Sequence, residues 1–288
     1  MFEKVLFATD FSEYTKKTLD CIAGFPGIRN IVLLHVIEEI RSPRGGGEIG
    51  DVLFRTGKNI LREEKNHLEK ISPNLRVTTA VKVSSDIASA IVETSEDRDI
   101  SLIILGARGK SLVEGILLGS VSMEVLRSSR TSVLIMRYKT IEEMNAKTYE
   151  MFCPMILFRV LCPVDFSVYS DRSIELARST PGIGEIILLH VVTRGESESD
   201  IENTVHLAKK QIEAIRNSLE KPGIKVRTIV KTGDPGTGIT GTANEEDVSV
   251  IWMSSHGKGW FQELLLGSTA FSVAMNSNRP VIIIRKPE

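Results

Sequence analysis

Apolar residues arrive along this chain in short runs separated by longer amphipathic stretches. Val5 to Ala8, Ile31 to His35 and Leu102 to Leu105 are compact apolar runs, as expected of strands covered on both faces. Between them, Phe11-Ser12 opens an amphipathic helix that ends at the turn Gly24-Phe25-Pro26-Gly27. Leu53 to Leu68 carries apolar residues at helical spacing, Leu75 to Val83 alternates, and Ile87 to Asp97 is helical again. SVSMEVLRSS reads as a helix with Ser120 near its start, and Thr131 to Met136 as a last buried strand. The predicted order is β-α-β-α-β-α-β-α-β. Its connections are too long for hairpins, so the pattern predicts a parallel sheet with helices on both faces. Such sheets bind ligands beyond the carboxyl ends of their strands, where strand order reverses. Asp10 and Gly106 both lie just past strand ends, and their loops form one crevice if the first and fourth strands are neighbours.

The chain then repeats itself. VLFATDFSEYTKKTLDCIAGFPGIRNIVLLHVIEE is echoed by VLCPVDFSVYSDRSIELARSTPGIGEIILLHVVTR, which pairs Asp10 with Asp165 and His35 with His190. From Asp86 onward the copies align without a gap, as far as Arg137 and Arg285. With 288 residues there is room for two domains of about 140 residues each. The expected division is 1–138, a linker at 139–154, and 155–288. Ser42 to Asp51 has no counterpart in the second copy and is expected to be a surface loop. IEEMNAKTYEMF in the linker is expected to be helical.

The most informative stretch is LIILGARGKSLVEGILLGSVSMEVLRSSRTSVLIM: a strand, a loop punctuated by glycine, and a helix start. Glycine lets main-chain N–H groups approach a phosphate, and the first turn of a helix offers unpaired donors with partial positive charge. Gly106, Gly109, Gly119 and Ser120 recur at one constant offset as Ser254, Gly257, Gly267 and Ser268. Two other phosphate-loop patterns fail. Gly109-Lys110-Ser111 resembles the tail of a Walker A loop, but the glycine required five positions earlier is Ile104. Gly236, Gly238 and Gly241 fit a dinucleotide fingerprint by letter, yet they follow the third strand of their unit and match Ala88, Ala90 and Glu93 in a plain helical pattern.

Asp10-Phe11-Ser12, the LLHVI strand ending and the glycine-punctuated stretch resemble the nucleotide-binding class of the universal stress protein family, over nearly the full length of both copies. The resemblance implies two tandem five-stranded parallel α/β sandwiches, Rossmann-like and of the adenine nucleotide alpha-hydrolase kind. It also implies ATP or AMP as ligand, with magnesium able to accompany the phosphates. Carried over, Ala8, Thr9 and Asp10 border adenine and ribose, and Val36 meets the adenine edge. Leu105, Gly106 and Gly109 let the chain pass close to ribose and phosphates, and Gly119, Ser120 and Val121 donate to phosphate. The second-copy equivalents are Pro163, Val164, Asp165, Val191, Met253, Ser254, Gly257, Gly267, Ser268 and Thr269. Arg108 and His256 match in the loop, where phosphate contact and plain exposure are both open, as they are for Lys110 and Lys258. Ser254 departs from the family pattern. Its Cβ and its aversion to positive φ leave either a weaker nucleotide site or a mainly structural copy. Asp10 and Asp165 also suit helix capping, and His35 and His190 read as satisfied core histidines.

Composition narrows the remaining choices. Lys and Arg total 36 against 37 Asp and Glu, a net charge of −1, which gives no electrostatic reason to expect nucleic acid. No apolar window approaches the roughly 18 residues of a membrane span, and the N-terminus lacks a signal-peptide core. Cys21, Cys153 and Cys162 share no metal-ligand spacing and are odd in number. They read as small apolar side chains in a reducing, cytoplasmic protein. Glu114 and Glu263 occupy adjacent, not equivalent, loop positions, and no catalytic set is evident. The expectation is a regulatory nucleotide-binding protein acting on a protein partner. A slow ATPase or autophosphorylating enzyme and a non-binding dimerisation scaffold are the alternatives. The apolar last strand of each copy, Val133 to Met136 and Val281 to Ile284, needs cover. That need points to an internal pseudo-dimer together with a homodimer.

Overall fold

The computed structural model describes residues 2–39, 47–107, 118–143, 146–151, 156–193, 198–219, 223–258 and 266–285. The chain divides into two compact units, Met1–Met136 and Arg137–Glu288. Unit one runs β1 (Lys4–Ala8), α1 (Glu13–Ala23), β2 (Asn30–Glu38), α2 (Gly47–Ile71), β3 (Arg76–Ser84), α3 (Ile87–Asp97), β4 (Leu102–Gly106), α4 (Ser120–Ser128) and β5 (Ser132–Met136). Unit two opens with an antiparallel pair, β6 (Tyr138–Glu143) and β7 (Ala146–Met151). It continues with β8 (Arg159–Pro163), α5 (Val168–Ser179), β9 (Glu185–Val192), α6 (Glu198–Leu219) and β10 (Lys225–Thr232). The last elements are α7 (Pro235–Glu245), β11 (Val250–Ser254), α8 (Ser268–Asn276) and β12 (Val281–Ile284).

Within each unit five strands pair in parallel. Their order is β3-β2-β1-β4-β5 in unit one and β10-β9-β8-β11-β12 in unit two. Phe7 is in register with Leu33 on one side and Ile104 on the other. The first and fourth strands are therefore neighbours, and the order reverses between them. Central strands are buried on both faces, as the unbroken apolar runs require: Val5, Leu6, Phe7, Leu33 and Leu34 are fully buried in unit one. In unit two Trp252 is fully buried, and its indole N–H donates to the Ser173 carbonyl at 3.0 Å. Four helices start on a side-chain cap: Ser12, Asp86, Ser167 and Asp234 each accept a main-chain N–H three residues on. Helices α4 and α8 start on Gly119 and Gly267, with no side-chain cap.

Three sequence expectations change. The linker segment expected to be helical forms the β6–β7 ladder, with Thr140 opposite Tyr149 and Ile141 opposite Thr148. The loop expected at Ser42 to Asp51 is partly helix, because α2 begins at Gly47; its earlier part lies outside the described residues. Cys162 is buried and free, and that burial raises its thiol pKa, but Cys21 is disulfide-bonded. Cys153 lies outside the described residues.

At the amino ends of the unit-two strands, Glu185 collects cations. Arg159 Nε and Arg227 Nε each stand 2.7 Å from its carboxylate, and Lys225 Nζ stands 3.3 Å away. Burial opposes ionisation of Glu185, but hydrogen bonds from these three cations outweigh it and bring its pKa from 4.5 to about 2. A depressed carboxylate contributes stability above its unfolded pKa and loses it as pH falls through the folded one. We therefore expect the melting temperature of the wild-type chain to fall between pH 4.5 and pH 2 by more than that of the Glu185→Gln variant, as followed by calorimetry.

Candidate functional site

The first strand of each unit ends in a strained corner. Phe11 and Phe166 have φ of 62° and 59°, in the left-handed region, which costs a residue with a bulky side chain about 1–2 kcal/mol. Hydrogen bonds hold the corner. Thr9 Oγ1 accepts the Phe11 N–H at 3.1 Å, and Asp10 Oδ1 accepts the Ser12 N–H at 3.0 Å and the Thr15 hydroxyl at 3.1 Å. In unit two, Asp165 Oδ1 accepts the Ser167 N–H at 3.1 Å and its hydroxyl at 2.6 Å. Each turned phenylalanine lies against a histidine from the second strand, with ring centroids 4.1 Å apart for Phe11–His35 and 4.5 Å for Phe166–His190.

Those histidines are structural. His35 Nδ1 bonds the Thr9 carbonyl at 2.8 Å and His190 Nδ1 the Val164 carbonyl at 2.6 Å. A carbonyl only accepts, so Nδ1 carries the proton. Each ring thus ties the end of the second strand to the end of the first.

In unit two the second boundary of the crevice is also visible. A cavity of about 440 Å³ opens beyond the carboxyl ends of β8 and β11. Its lining includes Pro163, Val164, Asp165, Val191, Met253, Ser254, His256, Gly257, Gly267, Ser268 and Thr269, every second-copy position named from the sequence. Lys258 and His190 join them, as do Leu189, Pro235, Ile239, Ser255 and Ala270, which the sequence reading missed. Pro235 and Ile239 belong to α7, the helix whose glycines fit a dinucleotide fingerprint only by letter. Those glycines are packing residues: a Cβ on Gly238 would meet Val191 at 3.0 Å, and one on Gly236 would meet the Ser272 hydroxyl at 2.7 Å.

The glycine loop is clasped to the strained corner. Asp165 Oδ2 accepts the Lys258 N–H at 2.8 Å, Lys258 Nζ lies 5.3 Å from the Phe166 ring centroid, and the His256 and Tyr169 rings are 5.8 Å apart. A Cβ on Gly257 would overlap the Asp165 carboxylate, so any other residue there must push that side chain off the loop. Ser254 keeps an ordinary strand backbone at the end of β11. The left-handed glycines among the described residues are Gly27, Gly182, Gly223 and Gly233, and Ser254 is not among the non-glycine residues with positive φ. Its hydroxyl donates to the His256 carbonyl at 2.7 Å and so braces the loop.

Across the crevice stands the start of α8. Gly267 donates to the Ser255 carbonyl at 2.8 Å, and the helical ladder begins with Phe271 N–H on the Gly267 carbonyl at 2.9 Å. The N–H groups of Ser268, Thr269 and Ala270 precede that ladder, on residues that line the cavity. Unit one repeats the framework. Ala8 ends β1, Val36 lies on β2, and Leu105 and Gly106 end β4. Gly119 donates to the Ala107 carbonyl at 2.7 Å, the Ser122 hydroxyl donates to the Gly106 carbonyl at 2.8 Å, and Ser120 and Val121 begin α4. Arg108, Gly109, Lys110, Glu114 and Glu263 lie outside the described residues. Among the described residues there is no cluster of three or more metal-ligating side chains, and no helix is long and apolar enough to cross a membrane.

The comparisons agree with this architecture. The model of the universal stress protein family matches residues 1–137 and again 157–285, so the chain belongs to that family, as a tandem member with two copies of its domain. It is 31% identical over 153 residues to universal stress protein MJ0577 of Methanocaldococcus jannaschii, covering 44% of this chain and 94% of that protein. A universal stress protein of Mycolicibacterium smegmatis is 22% identical over 271 residues, covering 88% of this chain and 87% of that one. The crystal structure of a universal stress protein from Archaeoglobus fulgidus superposes with a TM-score of 0.69 at 27% identity, over 99% of this chain and 97% of the other.

The clasp has a direct consequence for Gly257. Alanine there must displace the Asp165 carboxylate from Lys258, so Gly257→Ala should destabilise unit two by about 1–3 kcal/mol. Chemical denaturation of the variant against wild type measures this.

Proposed function

We propose that each unit binds an adenine nucleotide, ATP or AMP, in the crevice between its first and fourth strands, and that the chain acts as a ligand-dependent regulatory protein. The observation that carries this reading is the pair of glycine-started helices. Among the described residues, every other helix start with a defined cap has a side chain that accepts one of its first N–H groups. At α4 and α8 that side chain is missing beside the crevice, and the free donors and the positive end of the helix dipole suit a phosphate. A cavity of about 440 Å³ is within the range of small-ligand sites. The resemblance to nucleotide-binding members, noted from the glycine pattern, supplies the adenosine part. Magnesium, where it accompanies the ligand, would be held mainly by the phosphates themselves. Ordering of the glycine loop around the ligand is the change a protein partner would read.

The glycine at the helix start offers a clean test. Gly119 has φ of −71° and ψ of 158°, an extended conformation open to any residue, and a Cβ there would meet only the Ala107 carbonyl at 3.6 Å. Folding therefore does not require glycine at this position. We expect calorimetry to find two ATP or AMP sites per chain, with GTP weaker. Gly119→Val should abolish one site while keeping the melting temperature within a few degrees of wild type. Absence of adenylate binding below the millimolar range in the folded protein would sink the proposal.

A further inference from the structure

Helix α2 buries one stripe, formed by Gly57, Leu61, Glu64 and Leu68. Helix α6 carries a stripe at the same spacing, formed by buried Ala208, Ile212 and Leu219 with half-buried Ile215. The two differ in kind at one place: unit one has Glu64 where unit two has Ile215. Glu64 is only 7% exposed, and neither oxygen of its carboxyl group has a hydrogen-bond partner in the structure. An ionised carboxylate cannot be left in such a place without large cost, whereas a neutral one is tolerated. The groups that act on it are Lys16 from α1 and Asp10 from the β1–α1 corner. Asp10 brings a second buried oxygen, Oδ2, which also lacks a partner.

We propose that Glu64 is a proton-responsive element of unit one, buried in its neutral form, whose ionisation loosens α2 and presses a second negative charge on Asp10 at the crevice. Burial is the main cause, the Asp10 charge adds to it and Lys16 opposes it, and together they push Glu64 from 4.5 up to about 7. Lys16 is shared, since Glu13 holds it at 2.9 Å. Other ionisable groups on the elements packed against α2 are Lys17 and Asp20 on α1, His35 and Glu38 on β2, and Arg76 and Lys82 on β3. Asp20 pairs with His67 of α2 itself at 2.6 Å. Unit two, with isoleucine at this point, has no equivalent. A carboxyl whose folded pKa is raised stabilises the fold relative to its ionised form below the unfolded value, and that contribution is lost as pH rises through the folded one.

The test needs no nucleotide, so its result is separate from the reading of the crevice. Carbon-13 NMR on the full chain labelled at glutamate carboxyls would follow Glu64 from pH 4 to pH 9, with the Glu64→Gln spectrum assigning the signal. Amide exchange of residues 57–68, corrected for the intrinsic pH effect, would report loosening. We expect a midpoint within one unit of neutrality and at least about a tenfold loss of protection between pH 6 and pH 8. That loss should vanish in Glu64→Gln, which leaves His35 and His67 unchanged. A midpoint in the ordinary carboxylate range would overturn the proposal, as would an unchanged pH dependence in Glu64→Gln. If that variant fails to fold, the wild-type titration and the Glu64→Ile variant, which copies unit two, decide the matter.

Discussion

A single carboxylate at the end of the first strand governs the shape of each crevice. Asp10 and Asp165 sit where the chain must leave a buried strand, turn sharply and begin a helix. By accepting the Ser12 or Ser167 N–H, the carboxylate pins the intervening phenylalanine in the left-handed region. The turned ring then packs on the histidine of the second strand, and the serine is set to cap the helix. In unit two the other oxygen of the same carboxylate also holds the glycine loop through Lys258. Capping and crevice-building are therefore one arrangement, and the strain at phenylalanine is offset by the contacts it makes possible.

Much of this was legible in the sequence. Helix α3 matches its predicted limits to the residue, because Asp86 before the apolar periodicity is an unambiguous start. The parallel sheet followed from unbroken apolar runs joined by long connections, whereas the order that makes the first and fourth strands neighbours is set by their pairing in the structure. All second-copy positions named from the sequence meet in one cavity because the loop spacing is shared by both copies. Other features were hidden for physical reasons. The linker carries three Glu, two Lys and two Met, which favour helix locally, yet cross-strand pairing sets its conformation. The first turn of α2 contains two glycines, so apolar periodicity registers only from Leu53 onward. Left-handed phenylalanines cannot be inferred from residue type at all. The one available clue was that Asp-Phe-Ser recurs unchanged in both copies.

The two copies keep the framework and differ at points that tune it. Glu185 gathers three cations where unit one has Asn30 in the corresponding place, so the amino-end ion network belongs to unit two. Ser254 braces its loop by a side-chain bond, whereas at Gly106 the brace comes from Ser122, which is Ala270 in unit two. The tandem chain of the universal stress protein family is thus two solutions of one design, with a different serine hydroxyl bonded to the main chain at the end of the fourth strand in each.

Starting α4 and α8 on glycine has a cost for the protein itself. These are short helices of nine residues, and nucleation is the unfavourable step in making any helix. With no side chain at the cap to hold the opening turn, each leans on its neighbours in the fold to stay wound. Both are held in shape by packing, through buried Val125 and Leu126 in α4 and buried Val273 and Ala274 in α8.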